Sequence, residues 1–81
     1  YRAVADTELI TTTNALAKKL AALPTRSLGL IKRALNRSTA QNLEAQLALE
    51  LTLQLEAAAT ADYQEGVDAF LAKRPPHYTG R

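Results

Sequence analysis

The chain has 81 residues, ten of them Lys or Arg and eight Asp or Glu, for a net charge of +2. That length holds one domain or less, with a core small relative to its surface, so contacts with a partner are expected to supply part of the stability. The absence of Cys removes disulfides, thiolate metal sites and Cys nucleophiles together. The slight net charge gives no footing for nucleic acid, and no apolar run approaches a membrane span. A reducing, cytoplasmic setting fits. The sequence has no Met and opens on Tyr1-Arg2-Ala3-Val4, which predicts a piece of a longer protein.

Residues 1–5 are short, apolar and partly β-branched, and read as the end of a strand or a linker; residues 6–81 read as one helical domain. A first helix over about 7–22 can be capped by Asp6 or Thr7, with Glu8 in its first turn where the helix dipole favours an anion. Leu9, Leu16, Leu20 and Leu23 recur near helical spacing, and Pro24 ends the helix. A second helix over 26–36, capped by Thr25 or Ser27, turns Leu28, Ile31, Ala34 and Leu35 to one side. Asn36-Arg37-Ser38 reads as the break.

The third helix, over 39–59, carries two apolar faces. Leu43, Leu47, Leu51 and Leu55 form one slanting stripe, and Leu49 and Leu53 fall on another. Such a helix is held between two neighbours, and the Leu49/Leu53 face is the one expected to meet another copy or another part of a parent protein. Asp62-Tyr63-Gln64-Glu65 has the form of a capping box and opens a fourth helix over 62–73, stopped by Pro75 and Pro76. Its apolar face is Tyr63, Val67, Phe70 and Leu71. Gly66 inside it costs about 1 kcal/mol relative to Ala, which predicts close approach of another backbone. His77, Tyr78 and Gly80 are assigned to a mobile tail.

Charge is distributed unevenly. Lys18, Lys19, Arg26, Lys32, Arg33 and Arg37 occupy a stretch without acids, and Glu44, Glu50, Glu56, Asp62, Glu65 and Asp68 a stretch without bases. Packing of the two halves as complementary helices is favoured over an anion site on the basic half. Glu50, beside the leucine stripe, is expected to be partly buried in an ion pair with a base of the second helix. One His, no Cys and scattered acids leave no metal set. Three glycines far apart form no phosphate-cradling loop, and no G-x-S-x-G is present. No catalytic residue is assigned.

Glu65-Gly66-Val67-Asp68-Ala69-Phe70-Leu71-Ala72-Lys73-Arg74-Pro75 resembles the C-terminal signature of the enoyl-CoA hydratase/isomerase (crotonase) family, E-G-x-x-A-F-x-x-K-R-x-P-x-F-x-G. Tyr78 stands where the family usually has Phe, and Gly80 matches. Leu9, Ala17-Lys18, Pro24, Leu28-Gly29-Leu30-Ile31-Lys32 and Leu47-x-x-Glu50 extend the resemblance over the whole chain, which would be about the last third of a family member. The stretch Leu28 to Asn36, the block around Gln46 to Glu50 and Ala61 to Val67 look most like the branch that isomerises a ring-epoxide of phenylacetyl-CoA in phenylacetate degradation. An ordinary fatty-acid enoyl-CoA hydratase is the alternative.

The resemblance implies an all-α, four-helix C-terminal domain lacking the β-β-α spiral core of its parent. In the family the core supplies two backbone N–H groups that stabilise a thioester enolate, and a carboxylate that moves protons. The helical domain covers the acyl-CoA site, joins subunits into trimers or hexamers and helps to hold the nucleotide end of CoA. Two residues carry over to that last role: Phe70 against adenine and Lys73 on the ribose 3′-phosphate, neighbours three apart on a helix. The competing assignments are a core position for Phe70 and a helix-end cation for Lys73. No cofactor is implied, CoA being part of the substrate. A non-enzymatic helical interaction module and a small nucleic-acid binder are the other classes weighed; the acidic third helix speaks against the second.

Overall fold

A computed structural model describes all 81 residues. A 3-10 turn at Asp6–Glu8 leads into α1 (Leu9–Ala21), followed by α2 (Thr25–Ser38), α3 (Leu43–Ala58) and α4 (Ala61–Leu71). The chain is all-helical, with four helices and no strand; residues 1–5 form no regular element. No helix is long and apolar enough to cross a membrane.

The helix ends differ from expectation where a better cap was available. No side-chain cap forms at Asp6, Thr7, Thr25 or Ser27, and Pro24 occupies the N-cap position of α2. The Ser38 hydroxyl donates to the Leu35 carbonyl at 2.7 Å, so α2 runs on through Ser38 and the break falls at residues 39–42. Asn42 then starts α3, its side-chain oxygen accepting from the Ala45 amide at 2.9 Å. Thr60 starts α4: its hydroxyl accepts from the Tyr63 amide at 3.1 Å and donates to the Ala57 carbonyl at 2.7 Å. Asn and Thr in extended backbone are good N-caps. The expected capping box at Asp62 does not form, because both of its carboxylates are engaged elsewhere.

α2 and α3 pack as an antiparallel pair. The Gln46 amide nitrogen donates to the Ala34 carbonyl at 3.2 Å, while Arg26 and Arg33, nearer the start of α2, lie 3.7 and 3.5 Å from the Glu56 carboxylate near the end of α3. The basic and acidic halves therefore do meet. The acid that pairs is Glu56; Glu50 is exposed and accepts only from Gln46.

The face of α3 turned to α2 is not the long leucine stripe. Leu53 and Leu30 are the buried leucines, at 4% and 6% exposure, and Leu49 is half-buried. Gln46, Leu49, Leu53 and Glu56 repeat at spacings of three and four residues, so one helical face carries two leucines and both polar groups that bond to α2. Leu43, Leu47, Leu51 and Leu55 are left 56–73% exposed. The expectation that the Leu49/Leu53 face meets another chain is thus reversed: polar contacts to α2 chose the face, and the stripe is the unpartnered side.

The arrangement is flat and open, 45 × 39 × 18 Å with a radius of gyration of 16.0 Å. A compact domain of this length has a radius of about 12 Å. The accessible surface is 6655 Å², whereas a folded monomer of this mass exposes about 4,800 Å². No residue of α1 is buried. Leu9, Ile10, Ile31, Leu35, the α3 leucine stripe, Phe70 and Leu71 all lie exposed on these helices, an amount of apolar exposure that marks surface built to be covered.

Candidate functional site: the α4 cleft and its C-terminal clamp

α4 turns its apolar residues outward over an open cleft of about 450 Å³, within the size range of small-molecule sites. Tyr63, Gly66, Val67, Phe70 and Leu71 of α4 line it together with Pro24 and Ser27 at the start of α2 and Tyr78 of the C-terminal segment. Three of the chain's four aromatic residues meet here. Phe70 is 81% exposed at the rim, so the alternative that it is a core residue of this chain fails.

Tyr78 reaches the cleft because the C-terminal segment folds back along α4. The Asp62 carboxylate, 2% exposed, accepts from the amides of Thr79 and Gly80 at 2.8 Å each, and the Asp62 amide donates to the Arg81 carbonyl at 2.8 Å. One turn further on, Glu65 accepts from the His77 amide at 2.9 Å and from both terminal nitrogens of Arg74, at 2.6 and 3.2 Å. The segment assigned to a mobile tail is therefore clamped at both carboxylates. The Arg74 guanidinium, followed by the His77 amide, holds the Glu65 carboxyl down at about 2. The Thr79 amide, with Gly80 adding to it, holds the Asp62 carboxyl below its ordinary range against the opposing effect of burial. Both acids stay ionised at neutral pH and serve as acceptors.

Two glycines make room for this path. A Cβ on Gly66 would lie 3.3 Å from the Tyr78 hydroxyl oxygen, so the close approach expected at Gly66 is to a side chain and not to backbone. Gly80 has φ +79° and sits where a Cβ would come within 2.8 Å of the Thr25 hydroxyl. Only glycine fits both the left-handed backbone and the space.

The end of α4 decides where Lys73 lies. The Arg74 amide donates to the Ala69 carbonyl at 3.0 Å and the Lys73 amide to the Phe70 carbonyl at 3.2 Å. This is a Schellman cap, with Lys73 in the left-handed position at φ 54° that glycine usually holds. Lys73 is thus outside the helix, and the expected i, i+3 neighbourhood with Phe70 on a helical face does not exist; the reversal of the chain sets their relation. Lys73 does not line the cleft. It takes part in no ion pair, whereas Arg74 beside it is committed to Glu65.

Asp62, Glu65 and Tyr78 are the site residues the sequence reading missed. The signal was available in two acids three apart followed by Arg74 and Gly80, but the capping-box pattern accounted for the same two acids more locally.

An ionised carboxylate pair, an aromatic cleft and an uncommitted cation suit ligand holding. Neither carboxylate is placed to give up a proton near neutral pH.

The family described as enoyl-CoA hydratase/isomerase matches residues 1–81. The 1,2-epoxyphenylacetyl-CoA isomerase of Escherichia coli K12 is 48% identical over 81 residues, which is all of this chain and 31% of that protein. A probable enoyl-CoA hydratase of Rhodobacter capsulatus is 44% identical over 81 residues, again all of this chain and 32% of that protein. The crystal structure of an enoyl-CoA hydratase from Geobacillus kaustophilus HTA426 superposes with a TM-score of 0.88 at 32% identity, covering 93% of this chain and 28% of that one. The chain thus spans about a third of the length of these relatives.

Proposed function

The chain belongs to the enoyl-CoA hydratase/isomerase family, and from that premise we propose that it is the C-terminal helical domain of an acyl-CoA isomerase acting on a ring-epoxide CoA thioester in phenylacetate catabolism. In this reading the catalytic groups lie outside these residues, and the chain by itself turns over no acyl-CoA. Its own work is to hold the nucleotide end of CoA and to join subunits of a homo-oligomer. Phe70 contacts adenine at the rim of the α4 cleft, and Lys73 reaches the 3′-phosphate.

The observation that carries the ligand role is the pairing of an exposed aromatic cleft with a cation held at the adjoining helix end. Arg74 is neutralised by Glu65, whereas Lys73 beside it makes no ion pair and is available to a phosphate. A flat apolar wall near a compact cation suits a purine that carries one. The isomerase branch is favoured by 48% identity along the whole chain to a protein of that name. An ordinary enoyl-CoA hydratase is the second reading, supported by the 44% identity to a probable hydratase.

Two measurements on the full-length protein test this. Turnover of 1,2-epoxyphenylacetyl-CoA in preference to crotonyl-CoA supports the isomerase, and the reverse preference supports the hydratase. Wild type should bind dephospho-CoA thioesters more weakly than CoA thioesters, whereas Lys73→Ala should be indifferent to the 3′-phosphate. Equal losses in both proteins would remove Lys73 from the site.

A further inference from the structure

α4 is held in place less by its own packing than by the segment that follows it. It leaves α3 through the turn at Ala59 and Thr60 and has no extended packing against α2. Its side-chain bonds run within itself, to its Thr60 cap or to the segment after it, and none reaches α2 or α3. Tyr63 borders the α2–α3 groove and stays 48% exposed. Residues 75–81 reach α2 where α4 does not. Pro75 and Pro76 fix their own φ and stiffen the start of this strap. Near its far end, Gly80 stands between two helix starts. Its amide donates to Asp62 Oδ2, in the first turn of α4, at 2.8 Å, and a Cβ on it would lie 2.8 Å from the hydroxyl of Thr25, the first residue of α2. One residue thus meets both helices with no space to spare, and Thr25, with two heavy atoms on its Cβ, has little room to turn aside.

We propose that residues 75–81 are a latch that sets the angle between α4 and α2, closing where Gly80 meets Thr25. With the latch released, α4 pivots on the turn at Ala59 and Thr60. Residues of α4 line the cleft together with Pro24 and Ser27, so the opening of the cleft follows the latch. Asp62 and Glu65 hold the strap to α4 and act through it.

The test measures the distance between α2 and the far end of α4 in the full-length protein. Spin labels are attached through Lys32→Cys and Ala72→Cys, both at exposed positions, in a background free of other cysteines. Each pivot of about 10° carries the far end of the 11-residue α4 by about 3 Å. The unlatched comparison needs a benign partner variant, and Thr25→Ala is one, since it deletes a hydroxyl that caps nothing. The labelled parent and Thr25→Ala should each give one narrow distance distribution. Gly80→Ala should shift or broaden it by about 3 Å or more. Asp62→Asn, which loosens the strap without adding bulk, should do the same. Adding Thr25→Ala to Gly80→Ala should recover part of the original distribution. An unchanged distance in both Gly80→Ala and Asp62→Asn overturns the latch, because the strap then rides on α4 without setting its angle. A shift in only one of them overturns it too. In Gly80→Ala alone it marks a clash that pushes the helices apart, and in Asp62→Asn alone a hold that does not pass through Gly80. A shift in Gly80→Ala that Thr25→Ala leaves untouched removes Thr25 as the point of closure.

Discussion

Asp62 and Gly80 are far apart in sequence, and the Gly80 amide donates to Asp62 Oδ2 at 2.8 Å while the neighbouring Thr79 amide donates to Oδ1. The two oxygens of one buried carboxylate thus hold two consecutive amides. Asp62→Asn replaces one acceptor by an NH₂ donor facing an N–H. The expected result is a fall of roughly tenfold or more in the hydrogen-exchange protection of Thr79 and Gly80, the equivalent of one charge-assisted hydrogen bond. Protection of the α2–α3 pair should stay as it is. Unchanged exchange at Thr79 and Gly80 would mean that the carboxylate does not hold the segment.

The second clamp titrates. Glu65 has a pKa of about 2 in the folded chain against an ordinary value of 4.5. Because the folded value is the lower one, the clamp's contribution is complete above about pH 4.5 and is lost as pH falls through about 2. The Asp62 shift has the same sign and acts in the same direction. A ¹³C-labelled Tyr78 ring should therefore keep one chemical shift from pH 7 to 5 and move only below the ordinary carboxylate range. A transition between pH 5 and 7 would rule out these carboxylates as its cause.

Lys73 combines two properties that substitution can separate. Its left-handed backbone costs an ordinary L-residue roughly 1–2 kcal/mol, a cost that glycine does not carry. Lys73→Gly should raise stability by about 1 kcal/mol in thermal or denaturant unfolding. Lys73→Ala keeps the strain and should not. Both remove the cation, so both should weaken acyl-CoA binding alike, with little change in kcat if the contact is equal in ground and transition states. A stabilising Lys73→Gly that binds CoA as wild type does would leave Lys73 with a helix-end role alone.

What the sequence disclosed follows from range. The helices, the Pro24 break and the pairing of a basic with an acidic half rest on local periodicity and charge, and they appear in the structure with ends shifted by up to four residues. The outward face of α4 was legible because Tyr63, Val67, Phe70 and Leu71 fall on one side of a helix. The clamp was not, since joining Asp62 to Gly80 depends on a chain reversal at Lys73 that nothing in the sequence marks with glycine. The choice between the two leucine faces of α3 was also out of reach. Leucine positions alone did not distinguish them; the bonds from Gln46 and Glu56 to α2 did.

That choice leads to the remaining prediction. Leu43, Leu47, Leu51 and Leu55 are 56–73% exposed along one side of α3, and the chain exposes roughly 1,900 Å² more surface than a compact monomer of its mass. A standard interface buries ~800 Å² per partner around an apolar centre, and the four exposed leucines offer such a centre to a second copy of the protein. Leu47 and Leu51 lie at the stripe's centre, where apolar contact is best shielded from water. Leu47→Lys with Leu51→Lys should lower the sedimentation mass of the full-length protein towards the monomer. The α2–α3 seam faces away from these positions, so helical circular dichroism should be retained. Leu49→Lys is the control. It sits on the half-buried α2-facing side and should lower thermal stability without selectively changing mass. An unchanged mass for the double variant, with its helix content intact, would assign the stripe to a contact within the protomer instead of between copies.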